Sequence, residues 1–225
     1  MLDVAIRKAD GSTAVDLGRR GAPPLPVAPA LAPILPDGLR RGSTASITGS
    51  VSLLLALLGA ASAEGAWCAL VGFARISAEA AAEYGIELSR LAIVQAPGSG
   101  WTTAVGALLD AVDVVALRPP TRRADLPPSD VRRLAARARS RDAVLMAYLT
   151  SAEEWPGADV RLTAHDGHWA GIGAGLGRLR ARQVEVTAEG RGQAARARSA
   201  TLWLPAAGGG IGPAEPLAPV IDLAG

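Results

Sequence analysis

Ala45-Ser46-Ile47-Thr48-Gly49-Ser50-Val51-Ser52-Leu53 passes from a short β-forming run through a Gly-Ser turn into the most apolar stretch of the chain, Val51 to Ala63. The first four residues predict a strand. Ser50 stands where a helix N-cap is expected, because its hydroxyl can accept from a backbone N–H of the first turn. The helix after it carries no charge before Glu64. No solvent-facing stripe can be drawn on it, so it is predicted to touch protein on all sides. It is also too short to span a bilayer, which takes ~20 apolar residues.

Outward from this unit, strand-like and helix-like runs alternate. Residues 67–73 are a continuous apolar strand. Ser77 is expected to cap a second helix through Tyr84, with Gly85 as its stop. Residues 90–95 predict a third strand, 102–112 a third helix and 114–117 a fourth strand. Pro127-Pro128-Ser129 introduces a fourth helix over 130–140, and 143–149 is a fifth strand. Strands apolar on both faces and separated by helices indicate an α/β fold, with a parallel sheet flanked by helices. Beyond Leu149 the helices stop. Residues 160–165, 180–187 and 200–204 are expected to be antiparallel strands extending one edge. The chain therefore divides into a proline-rich N-terminal arm over 1–36, a core domain over 37–190, and a C-terminal strand with a flexible tail over 191–225. The arm holds Pro23, Pro24, Pro26, Pro29, Pro33 and Pro36, which oppose regular structure. Its interleaved Leu25, Val27, Leu31, Ile34 and Leu35 predict that it lies on the core.

Composition excludes several chemistries. In 225 residues there are 23 Lys+Arg, 21 Asp+Glu and a formal net charge of +2, and Lys8 is the only lysine. A Schiff base or a phosphate-gripping lysine therefore has one candidate, far from any strand–helix junction. The single cysteine, Cys68, excludes a disulfide framework and a thiolate zinc site. Asp3, Asp10 and Asp16 are unlike a secretory signal. A soluble cytoplasmic protein is expected.

The turn at Gly49 is where an α/β protein often cradles phosphate. Of the pattern G-x-x-x-x-G-K-[ST] only Gly49 fits, so the phosphate loop is degenerate and a tight strand–helix junction is the favoured reading. His165-Asp166-Gly167-His168 has metal-like spacing. Asp-Gly between two strand-like runs is, however, a hairpin signal, and a hairpin is expected. The glycines from 171 to 177 do not form G-x-G-x-x-G and read as a flexible connection. No catalytic, cofactor-binding or metal-ligating residue emerges. Arginines cluster twice. Arg132, Arg133, Arg137, Arg139 and Arg141 lie on or just past the fourth helix. Arg178, Arg180, Arg182, Arg191, Arg196 and Arg198 decorate the late strands. Guanidinium forks suit phosphate and carboxylate. Arg178, Arg180, Arg182, Arg196 and Arg198 are the candidate partner- or DNA-binding residues.

The order of elements resembles the core of the RecA recombinase family over roughly residues 36–190. Gly38-Leu39-Arg40-Arg41-Gly42-Ser43 is similar to the approach to that family's phosphate-loop strand. Residues 64–71 are similar to its second strand, Tyr84-Gly85-Ile86-Glu87-Leu88-Ser89-Arg90-Leu91 to its step into the third strand, and Ala111-Val112-Asp113-Val114-Val115 to its fourth. Val160-Arg161-Leu162 and residues 180–186 are similar to its late strands. Measured back from Cys68, the phosphate-loop region is shorter than in RecA proteins. Against that family, Ala74 stands near the catalytic glutamate's place, Arg118 at the acidic residue ending the fourth strand, and Thr150 at the nucleotide-sensing glutamine. The DNA-loop connection shrinks to residues 151–159.

A small RecA-like chain without ATP-handling residues resembles the short ImuA family, called ImuA-prime. The resemblance implies a non-catalytic adaptor, without cofactor or small-molecule substrate, in DNA-damage-induced mutagenic translesion synthesis. Its implied partners are the inactive Y-family polymerase homologue ImuB and, through it, an alternative α-type DNA polymerase. It also implies weak DNA contact, nucleoid association on DNA damage and no membrane. The alternative is a SulA-like inhibitor that binds the tubulin-like division protein.

Overall fold

Thr44–Thr48 forms β1 and Val51–Ala63 forms α1 in the computed structural model, which describes residues 23–120, 126–150, 155–165, 167–173, 176–191 and 196–214, with backbone alone at 172–173 and 176–177. Ser50 caps α1 as expected, its Oγ accepting from Leu53 N at 3.2 Å. Such a cap contributes about 1 kcal/mol. Leu53 through Leu58 are all buried, so α1 has protein on every side.

The succeeding units are β2 (Cys68–Val71), α2 (Ala78–Glu83), β3 (Leu91–Val94), α3 (Trp101–Ala111), β4 (Val114–Leu117), α4 (Pro128–Ser140) and β5 (Val144–Leu149). Then come β6 (Val160–Ala164), β7 (His168–Gly173), β8 (Leu176–Gly190), β9 (Arg198–Trp203) and β10 (Gly212–Pro213). They form one mixed sheet in the order β10-β9-β8-β6-β1-β5-β4-β2-β3, with β7 paired to β8. Strands β1 to β6 pair in parallel, and β8, β9 and β10 are antiparallel additions.

Alternate residues of the central strands point to two cores. Ala45 and Ile47 of β1, Val144 and Met146 of β5 and Val184 and Val186 of β8 share a cluster with the leucines of α1 and Ala81 of α2. Val115, Leu145 and Ala147 face the other way, against Val105, Leu108 and Leu109 of α3 and Val131 and Leu134 of α4. Trp155 is 1% exposed and fills the second core near the end of β5. At α1, Gly59 lets the end of α2 come close: a Cβ there would lie 1.8 Å from the Tyr84 carbonyl oxygen.

The arm is anchored where it is described. Leu25 and Leu39 exchange backbone hydrogen bonds of 2.8 and 2.9 Å, and Leu25, Leu31, Ile34 and Leu35 are buried in the α1 core. Among its described residues a short 3-10 turn spans Pro29–Leu31. In the tail, the Ala214 N–H donates to Thr201 O at 3.0 Å. Residues 215–225 of the expected tail and 1–22 of the arm lie outside the described residues.

Three expectations need correction. β6 is not antiparallel to its inner neighbour; it runs parallel to β1 and antiparallel only to β8. The connection over residues 151–159 must return across the sheet, although no helix pattern marks it as a crossover. Gly167 does not sit in a hairpin turn. Both β6 and β7 pair with β8, through Ala164↔Val186 and His168↔Gln183. They therefore lie end to end along one long strand, and Gly167 is the link. A Cβ on it would meet Gln183 O at 2.3 Å, which is why glycine is there. Asp166 lies outside the described residues. Gly171, Gly173 and Gly177 lie in strands rather than in a flexible connection, and Gly175 lies outside the described residues. Gly171 has φ +112°, and β7 turns back into β8 with a register shift between Ala170 and Ile172. Glycine in this run marks a bulge with close backbone approach.

Candidate interaction surface

The head of α1 is filled from within. Gly49 has φ +84°, and a Cβ on it would lie 2.0 Å from the Ala164 carbonyl oxygen at the end of β6. Leu53 N–H is engaged by Ser50, and the turn packs closely against the end of β6. The other resembling positions also lie just past the carboxyl ends of strands. Ala74 and Thr150 are exposed after β2 and β5. Arg118 follows β4, where its backbone N–H donates to Val71 O at 2.8 Å. Arg118 lines a crevice of about 650 Å³ with Gln95, Ser99, Trp101, Thr102 and Asp130, among others. Asp130 is ion-paired to Arg133 at 3.2 Å, so this crevice holds no free carboxylate among its lining residues.

The helical arginine cluster is largely consumed by structure. Arg137 makes a two-pronged contact with Asp110 of α3, and Arg141 Nε reaches the same carboxylate at 3.0 Å. The hydrogen bond from Arg137, helped by the charges of Arg137 and Arg141, holds the Asp110 carboxyl below its ordinary value of 3.8. A depressed carboxyl contributes stability above its unfolded value that is lost as pH falls through its folded value. Asp110→Asn should therefore unfold more easily than wild type near neutrality. The difference should shrink on acidification below pH 3.8, in urea melts run at each pH.

The two histidines do not come together as ligands. His165 Nε2 is 3.1 Å from Thr187 Oγ1. Among the described residues no group of three or more His, Cys, Asp or Glu is placed to hold a metal. Cys68 is buried in β2, and burial, with Asp113 nearby, pushes its thiol up to about 12.

The five candidate arginines fall into two groups. Arg178, Arg180 and Arg182 lie on the ribbon made by β7 and β8. Trp169, 49% exposed, stands opposite Arg182, and Leu179 is 50% exposed beside them. Arg178 and Arg180 are open to solvent, whereas Arg182 is half-buried with its Nε enclosed. Arg196 precedes β9 and Arg198 begins it, opposite Ala188. Eight residues of strand separate that point from Arg180, about 26 Å at ~3.3 Å per residue.

Arg198 instead joins two arginines that were not singled out as site residues. With Arg40 and Arg191 it rims a cavity of about 620 Å³, walled by Pro24, Ile34, Leu35, Leu39 and Val160 among others. Asp159 in the same wall is already engaged: Thr44 donates from N at 2.8 Å and from Oγ1 at 3.2 Å, and Arg40 approaches at 3.9 Å. Arg191 was visible in the sequence only as one member of a cluster. Arg40 was visible only as part of the approach to β1. Nothing local says that they meet. The Arg191 N–H donates to Asp159 O at 2.9 Å, which fixes the end of β8 beside the start of β6.

A family model described as MT3502 N-terminal domain matches residues 33–157. The uncharacterized protein Rv3395c of Mycobacterium tuberculosis (strain ATCC 25618 / H37Rv) is 34% identical over 134 residues, 60% of this chain and 63% of that protein. The chain thus spans less than two thirds of the length of this relative. No helix among the described residues is long and apolar enough to cross a membrane.

Proposed function

Since the chain belongs to the MT3502 N-terminal domain family, we propose that it is a non-catalytic RecA-like adaptor of the ImuA-prime kind. In this role it serves DNA-damage-induced mutagenic translesion synthesis. It docks on an inactive Y-family polymerase homologue of the ImuB type and, through it, serves an alternative α-type DNA polymerase. It acts in the cytoplasm, at the nucleoid after damage, without a cofactor.

Support comes above all from the head of α1. In a RecA-like sheet this is where triphosphate would be held, by a loop, a lysine and a hydroxyl. Here the strand–helix junction is a tight turn whose Gly49 lies against the end of β6, which supports reading it as a degenerate phosphate loop. Arg118 where an acid would sit adds to the same case. What remains is a rigid scaffold with arginine-bearing surfaces, suited to holding partners.

The test is co-purification of the tagged chain with the polymerase homologue encoded in the same genome. A stable complex is expected, and failure to recover any mutagenesis component would overturn the assignment. Calorimetry with Mg-ATP is expected to be flat; micromolar binding would return the chain to the nucleotide-binding proteins. Filamentous cells on overexpression would favour the division-inhibitor alternative.

A further inference from the structure

We propose that the cavity between the proline arm and the β6–β8–β9 strand ends is a docking pocket for a short acidic and apolar peptide segment of a protein partner, read by Arg191 and Arg198. This deepens the adaptor proposal and rests on it in one respect only: that the chain works by holding another protein.

Three features fix the chemistry of the occupant. The first is the floor. Pro24, Ile34, Leu35, Leu39 and Val160 give an apolar wall in a cavity of about 620 Å³. That volume is enough for a few aliphatic side chains and lies in the usual range of ligand pockets. The second is the charge at the rim. Arg191 and Arg198 have no ion pair among the described residues; the wall carries Arg40, Arg191 and Arg198 against two carboxylates, Asp37 and Asp159, and Asp159 is committed to Thr44 and Arg40. The arginines outnumber the carboxylates of this wall, and guanidiniums beside an apolar floor complement carboxylates attached to apolar side chains. The third is construction. Arg40 comes from the approach to β1, Arg191 from the end of β8 and Arg198 from the start of β9. Backbone bonds from Leu25 to Leu39 and from Arg191 to Asp159 hold these segments together. The site is thus preformed, and ordering it adds little cost to binding. Arg191 is exposed at its rim, which suits side chains presented from a passing backbone.

The full chain would be titrated into a short fluorescein-labelled peptide alternating leucine with glutamate, read by anisotropy. Binding is expected and should weaken with salt. The glutamine counterpart of the peptide should bind at least about tenfold more weakly, and so should the wild-type peptide to an Arg191→Glu/Arg198→Glu variant. Arg191→Gln/Arg198→Gln, which keeps the surface polar, should show an intermediate loss. Arg132→Glu, on the exposed face of α4, should bind as wild type. The proposal is overturned if the glutamate peptide does not bind, if the glutamine peptide binds equally, or if the double variant is unaffected. It is also overturned if only Glu215→Gln/Asp222→Asn binds the peptide, for the pocket would then belong to the chain's own tail. A dimer in sedimentation that is dissolved by the double variant would assign the pocket to a second copy, with the same consequence. No polymerase homologue enters this assay, so its failure leaves the co-purification test standing, and the reverse holds as well.

Discussion

Asp113→Ala is expected to lower the unfolding free energy by about 3–5 kcal/mol, read as the urea midpoint at constant slope. Asp113 starts β4 from within: its carboxylate accepts from Arg41 Nη1 at 3.0 Å and from the Trp67 backbone N–H at 2.9 Å. Its side chain is 10% exposed and that of Arg41 19%. Backbone bonds at the same place join Asp113 N to Trp67 O and Val144 N to Asp113 O, while Arg41 Nε reaches Pro23 O at 3.1 Å. The carboxylate therefore ties the approach to β2 and the beginning of β4 to Arg41 and, through it, to the arm, while the Asp113 backbone joins β4 to the beginning of β5. Truncation leaves a largely buried guanidinium without its counter-charge and an N–H without an acceptor. Those orphaned groups, rather than the net worth of the pair, set the size of the effect. The double variant Arg41→Met/Asp113→Leu should accordingly recover most of the loss. Equal destabilisation in the single and double variants would show that packing, not charge, is what matters there.

The second large effect is expected at Gly59. Gly59→Ala should cost about 1–3 kcal/mol or more, although alanine gains ~1 kcal/mol over glycine in an unconstrained helix. The added methyl would sit 1.8 Å from the Tyr84 carbonyl oxygen, which is backbone and cannot rotate away. Either α1 or the end of α2 must move. Gly100→Ala is the control. It has φ −82° and nothing within 4 Å of the new carbon, so its melting temperature should stay close to wild type. A neutral result at Gly59 would mean that α2 yields freely.

The parts of the fold set by local chemistry were legible in the sequence. Ser50 and Ser77 cap helices as read, and the unbroken apolar run of α1 announced its burial. The parts set by distant pairing were not. The parallel direction of β6 depends on β1, more than a hundred residues earlier, and nothing in the intervening connection marks a crossover. The β7–β8 ribbon was hidden because its glycines suit a loop as well as a bulged strand. The surface was half legible for the same reason. A run of arginines shows charge but not which guanidiniums are spent. Arg137 and Arg141 are taken by Asp110, while Arg40 joins Arg191 and Arg198 only because β8 lies beside β6.

The placement of β6 also bears on how much of the chain makes a folding unit. The family match ends at residue 157, three residues before β6 begins. In the whole sheet β1 is flanked on both sides, by β5 and by β6. A fragment cut at the end of the match would leave β1 with one row of backbone groups unsatisfied, beneath the most apolar helix in the molecule, and such a row is a template for aggregation. The stretch that the family model matches is therefore not expected to fold as an autonomous unit in this chain. The strands after it, which the match does not reach, complete its core.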